Sequence, residues 1–151
     1  GGTAQDLTGW AVQYTSATGT TWTNRTDLSG SIPAGGYYLI KEAAGGAGTV
    51  DLPTPDATGT IAMSSTAGKV ALTSTTTFLS GSCPTGGAIQ DFVGYGTTAN
   101  CYEGSGSAPA TNNATSDSRN SMGCADSGDN ASDFTVGAPN PRNSASPGHS
   151  C

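Results

Sequence analysis

The chain has 151 residues, a length that one domain accounts for. Gly, Thr and Ser occupy 23, 23 and 18 positions, and only 11% of residues are charged. This excludes a helical bundle, because Gly and Thr are poor helix formers and Lys and Glu are too few for i,i+4 pairing. A net charge of -6 with only five basic residues excludes a basic groove for nucleic acid. No apolar run approaches the ~20 residues that span a bilayer, and no signal-peptide pattern is read, so no membrane insertion is expected. The 34% hydrophobic content falls in short β-rich clusters, which speaks against disorder.

Strand signals follow one another along the chain. Gly9 to Thr15 alternates, with Trp10, Val12 and Tyr14 on one face and Ala11, Gln13 and Thr15 on the other. Period 2 predicts a half-buried strand whose Trp begins the core face. Thr21 to Thr23 is a weaker candidate. Gly36 to Glu42 is the second clear strand, followed by a weak one at Thr60 to Met63. Lys69 to Thr73 is the third, with Val70 and Leu72 inward, and Thr77 to Leu79 is a candidate return. Ala88 to Gly94 is mostly apolar and predicts a central strand covered on both sides. Between these lie Ile32 to Gly36, Asp51 to Asp56 (read as a plain turn) and Ser82 to Gly87, where Pro and Gly punctuate strands. The stretch 101–130 reads as a long surface loop, Asp133 to Val136 as a last weak strand, and 137–151 as a C-terminal tail. Short strands with Gly/Pro turns and no helical period predict one all-β domain over 1–151, an antiparallel β-sandwich.

The four cysteines are Cys83, Cys101, Cys124 and Cys151. None forms a C-x-x-C pair, and the single His is His149, so a zinc site is not expected. An even count in a Lys-poor, acidic chain predicts two disulfides outside the cytoplasm, in a secreted or cell-surface protein. Of three connectivities, the sequential one pairs Cys83 with Cys101 and Cys124 with Cys151; each loop closure is worth about 3 kcal/mol. Sequons stand at Asn24, Asn113 and Asn130, candidate glycosylation sites only where the source glycosylates secreted proteins.

Catalysis finds little material. His149 sits in a Ser-Pro-Gly-His-Ser-Cys tail read as flexible, whereas a triad needs preorganised geometry. Asp91 and Glu103 could pair as in a glycosidase, but turn-stabilising roles suit their positions better. Asp126, Asp129, Asn130 and Asp133 concentrate oxygen donors in a Gly-containing loop that suits Ca²⁺. The loop departs from the EF-hand pattern, and an Asx-turn-rich solvated loop is the competing account. Beyond that structural Ca²⁺, no cofactor is expected. Tyr37, Tyr95 and Tyr102 are candidates for stacking on sugars, with core packing the alternative.

Asp6 to Trp10 (D-L-T-G-W), then Leu28 to Ile40 (L-S-G-S-I-P-A-G-G-Y-Y-L-I), resembles the bacterial lamin-tail domains. The similarity continues through Leu52 to Ile61, Ala67 to Leu72, Asp91 to Gly96, Asn100 to Ser105 and Phe134 to Pro147, nearly the whole chain. The resemblance implies an immunoglobulin-like β-sandwich. Members of that family usually carry two further strands before the D-L-T-G-W turn; here only Gly1 to Gln5 precede it. Either the chain was trimmed, or an incomplete sandwich folds and is completed by a strand from a neighbour.

The expected function is therefore a non-catalytic, extracellular structural or adhesive module, self-assembling into a surface layer or filament by strand donation. The alternative is an accessory binding domain of a secreted nuclease or other hydrolase, with polysaccharide, protein or nucleic acid as its ligand, although nucleic acid is not expected to be bound by this domain alone. Such domains stand beside a separate catalytic domain, for which this chain has no room.

Overall fold

The computed structural model describes residues 2–46 and 51–151. Among them are ten strands: β1 (Gln5–Asp6), β2 (Ala11–Ser16), β3 (Asn24–Asp27), β4 (Ser31–Ile32), β5 (Ile40–Lys41), β6 (Ala57–Thr58), β7 (Gly68–Thr73), β8 (Ile89–Tyr95), β9 (Ser116–Arg119) and β10 (Phe134–Gly137). One helical turn, α1 (Asn130–Asp133), precedes β10. The chain is all-β. Its centre is a four-stranded antiparallel sheet in the order β3-β2-β7-β8, with a bulge at Leu72/Thr73. Three two-stranded sheets complete it: β1 with β4 and β9 with β10 antiparallel, and β5 with β6 parallel. Gly36 to Glu42 contributes only β5, whereas 101–130 is no plain loop, since it contains β9.

Alternation in β2 and β7 holds, but the deeper burial falls on the face opposite to the expected one. Ala11, Gln13 and Thr15 on β2, and Lys69, Ala71 and Thr73 on β7, are buried; on the other face Tyr14 and Gly68 are buried too, but Val12, Val70 and Leu72 are half-buried. Trp22, Ala71, Phe92 and Cys101 form the core on that face, flanked by Leu79 and Ile89. Trp22 meets Phe92 edge-on at 5.9 Å between centroids. The reason for so polar a core face is what covers it. Loops lie on it, and loop backbone groups have no ladder to pair with, so side chains must supply their partners.

Lys69 is the clearest case. It is fully buried, and its Nζ donates to Gly19 O at 2.8 Å, Ser82 O at 2.7 Å and Asn100 Oδ1 at 2.8 Å. Those three acceptors belong to the turn after β2 and to the segments around Cys83 and Cys101, which are themselves joined by a disulfide with Cα atoms 5.3 Å apart. Gln13 does the same for the loop after β7, donating to Thr77 O and accepting from Leu79 N. Thr77 to Leu79 is thus held by a side chain rather than as a strand. Thr15 Oγ1 reaches Thr21 O, and Thr21 makes a single bridge to Ser80.

The C-terminal tail is fastened rather than loose. Cys124 pairs with Cys151, with Cα atoms 5.5 Å apart. His149 N donates to Gly35 O at 2.7 Å, Asn143 Nδ2 to Thr54 O at 2.9 Å, and Ser144 N to Asp56 Oδ2 at 3.0 Å. Asp56 also accepts from Leu39 N, so it is a hub between the β5 approach and the tail rather than a plain turn residue. Replacing Lys69 with Met keeps the stem but strands three acceptors. At about 1 kcal/mol or more for each, Lys69→Met should lower unfolding free energy by roughly 3 kcal/mol in a urea titration.

Candidate functional site

The Asp-rich loop is built for its own backbone. Asp129 caps α1, accepting from Ala131 N at 3.2 Å, and it also takes Ser105 Oγ at 2.8 Å. The Ser105 hydroxyl leads the donors that hold its carboxyl below the ordinary aspartate range. Asp133 accepts from Ser127 N and Ser127 Oγ, both at 2.8 Å. Burial opposes its ionisation, but those bonds and the Arg119 charge outweigh it and lower its pKa. Asp126 pairs with Arg119 at 3.1 Å. Among the described residues no group of three or more acidic, His or Cys side chains is arranged to hold a metal ion.

Asn130 is not a surface residue. It is fully buried; its Oδ1 accepts from Gly94 N at 2.9 Å and Glu103 N at 3.2 Å, and its Nδ2 donates to Phe92 O at 3.0 Å. The amide that a glycan would occupy is therefore committed to β8, which overturns Asn130 as a glycosylation site in the folded chain. Asn24 and Asn113 are exposed. A Cβ on Gly94 would overlap the Cys101 carbonyl oxygen, so this close approach of the Cys101–Glu103 segment to β8 requires Gly.

Asp91 and Glu103 each have a partner within the chain, Arg119 for the first and Asn130 Nδ2, at 3.4 Å, for the second. Asp91 is bonded to Arg119 Nη2 at 2.7 Å. Burial pushes the Glu103 carboxyl up, with Asp91 and Asp126 adding to it against Arg119. The three tyrosines have separate fates. Tyr95 OH donates to Ser64 O at 2.6 Å, and burial, with Tyr14 nearby, raises its pKa strongly. Tyr37 lies under the Arg142 guanidinium, 4.2 Å from the ring centre, and accepts from Arg142 Nη1 at 2.7 Å. Tyr102 is exposed.

A cleft that sequence reasoning did not locate runs along β9. Its floor is the half-buried face of the central sheet, Val70 on β7 with Asp91, Val93 and Tyr95 on β8. One wall is Ser116 to Arg119; facing it are Tyr37 and Tyr38, Met63 and Ser64, and the Pro139 to Arg142 stretch. Its largest cavity is about 540 Å³. Of the six large apolar side chains exposed among the described residues, Leu52, Met63 and Met122 stand on this rim. Ser121 and Met122 hold φ of 53° and 57°, a strained region for non-Gly residues, and present Met122 outward.

Asp117 lies where the three cavities meet. Its Oδ1 is buried without a hydrogen-bond partner among the described residues, and burial pushes its carboxyl up to about 6. The only sequence signal is its position inside Ser-Asp-Ser-Arg, which does not stand out in a chain this rich in Ser and Asp.

No family model, no curated protein and no solved structure matches this chain.

Two outcomes are expected. Since the folded chain favours protonated Asp117, this group's stabilisation is complete below its ordinary value of about 4 and disappears as pH rises through about 6. The difference between about pH 5 and pH 7 should be on the order of 1 kcal/mol after solvent screening, and Asp117→Asn should remove it. Asp56, Asp129 and Asp133 lie below the ordinary aspartate value and lose their contribution only in stronger acid. Second, the Asp loop draws its donors from the chain, so EDTA at neutral pH should leave the melting temperature unchanged. A fall in that temperature would establish a structural cation.

Proposed function

We propose that the chain is a non-catalytic, extracellular structural or adhesive module of the lamin-tail type, an immunoglobulin-like sandwich that assembles by taking up a strand from a neighbour. Two disulfides fit an oxidising compartment, and no helix among the described residues is long and apolar enough to cross a membrane. The weakly charged, Ser/Thr-rich surface suits a durable surface protein. The observation that carries the reading is the cleft on the outer edge of β9: an apolar floor, a rim of exposed Leu52, Met63 and Met122, and a sheet edge beside it. A feature of this kind supports association, because open edges and contiguous apolar surface are costly for a chain that stays alone.

The Arg142–Tyr37 stack and Tyr38 at one end of the cleft favour a second reading, an accessory domain of a secreted hydrolase that binds polysaccharide. Light scattering and electron microscopy of the purified chain separate the two. Assembly predicts a large species or fibres that grow with concentration. A strictly monomeric chain whose melting temperature rises with an added polysaccharide would sink it in favour of the accessory reading.

A further inference from the structure

Beside the cleft, β9 has one edge free. Asn120 N donates to Asp133 O at 2.8 Å, which makes 120/133 a hydrogen-bonded pair of the β9–β10 ladder. Antiparallel alternation then turns Ser116 and Ser118 towards β10, and the backbone N–H and C=O of Asp117 and Arg119 away from it. Among the described residues those four groups have no hydrogen-bond partner. The facing stretch cannot supply a full ladder, because Pro139 and Pro141 have no N–H.

We propose that this cleft is the acceptor site for an extended strand from another polypeptide, one that alternates apolar residues and places a Lys or Arg opposite Asp117. The assignment rests on the assembly reading given above and names its partner. Three features specify the occupant. The unpaired backbone of Asp117 and Arg119 calls for a β-strand, since only an extended chain presents N–H and C=O at matching intervals. The floor and walls of Val70, Val93, Met63 and Phe134 call for apolar side chains at every second position. The unpartnered Asp117 carboxyl oxygen between them calls for a cation, because a buried carboxylate is stabilised by an opposite charge.

Arg119 does not fill that role, for its guanidinium is committed to Asp91 and Asp126 and lies 4.6 Å from the Phe134 ring centre.

The test uses the intact disulfide-bonded chain and two acetylated nonapeptides of alternating Thr and Val, one with Lys at its centre and one with Glu. The Lys peptide should shift the amide resonances of Asp117 and Arg119 and slow their hydrogen exchange. The Glu peptide should bind about tenfold more weakly or worse, a difference of about 1.4 kcal/mol. Asp117→Asn should erase that preference; since the peptide exchange alone already tests the charge, the proposal does not depend on the variant folding. Equal binding of the two peptides to the unaltered chain would overturn the assignment. So would shifts confined to other strands, or Asp117 and Arg119 amides that exchange in the free chain as slowly as those of β7. A chain that stays monomeric at every concentration yet takes up the Lys peptide would overturn the assembly reading and leave the cleft assigned.

Discussion

The structure depends on buried polar side chains that tie loops to a sheet. A sheet face covered by a second sheet can be apolar, because each layer satisfies its own backbone. A face covered by loops cannot, since every buried loop carbonyl and amide must find a partner elsewhere. Lys69, Gln13 and Thr15 are those partners on one side of the central sheet, and Asn130 is the partner at its β8 edge. Burying an ammonium group is costly, and desolvation lowers the Lys69 pKa. Three short hydrogen bonds to it offset that cost. They also fix the two segments that carry Cys83 and Cys101, so the disulfide and the cation fasten the same corner.

The opposite face of the sheet is organised differently. Arg119 on β9 reaches Asp91 on β8 and Asp126 beyond the Ser121–Gly123 turn, with Asp133 at 3.8 Å, so one guanidinium locates the hairpin over the sheet. Two of the acidic residues that look like a cation site in one dimension, Asp126 and Asp133, thus already have a cation, an arginine, while Asp129 accepts from Ser105 and Ala131. Further along β9 no such partner among the described residues reaches Asp117, and Val70 and Val93 line an open cavity. The cleft is the space between a hairpin held by its Arg end and a tail held by Asp56, Tyr37 and the Cys124–Cys151 bridge.

Legibility followed the range of the interaction. Period-2 alternation located β2 and β7, and an apolar run located β8, within a residue or two, because both reflect local chemistry; β8 is an edge strand of the sheet rather than the central one expected. The same pattern assigned the core to the less deeply buried face of β2 and β7, on which Tyr14 is nevertheless buried. Alternation says which residues share a face, while depth of burial depends on what segments 74–83 and 96–102 do in space. Gly36 to Glu42 has strong strand propensity yet forms only a two-residue parallel pairing with β6. Beyond that pairing the stretch bonds to the Asp56 carboxylate and, through Tyr37, to Arg142 of the tail. Ser116 to Arg119 lacks apolar residues and carries no strand signal; it is a strand because Phe134 to Gly137 pairs with it.

By itself the amino-acid sequence determined an all-β chain, its main strands and a cysteine inventory suited to two bridges, since composition, periodicity and residue chemistry act at short range. It could not determine that Asn130 is enclosed, that Lys69 is the centre of a core, or that Asp117 Oδ1 has no partner among the described residues. Those properties belong to distances between segments 13 to 50 residues apart. Only when the loops, hairpin and tail close on the sheet does each polar group find a partner or go without one.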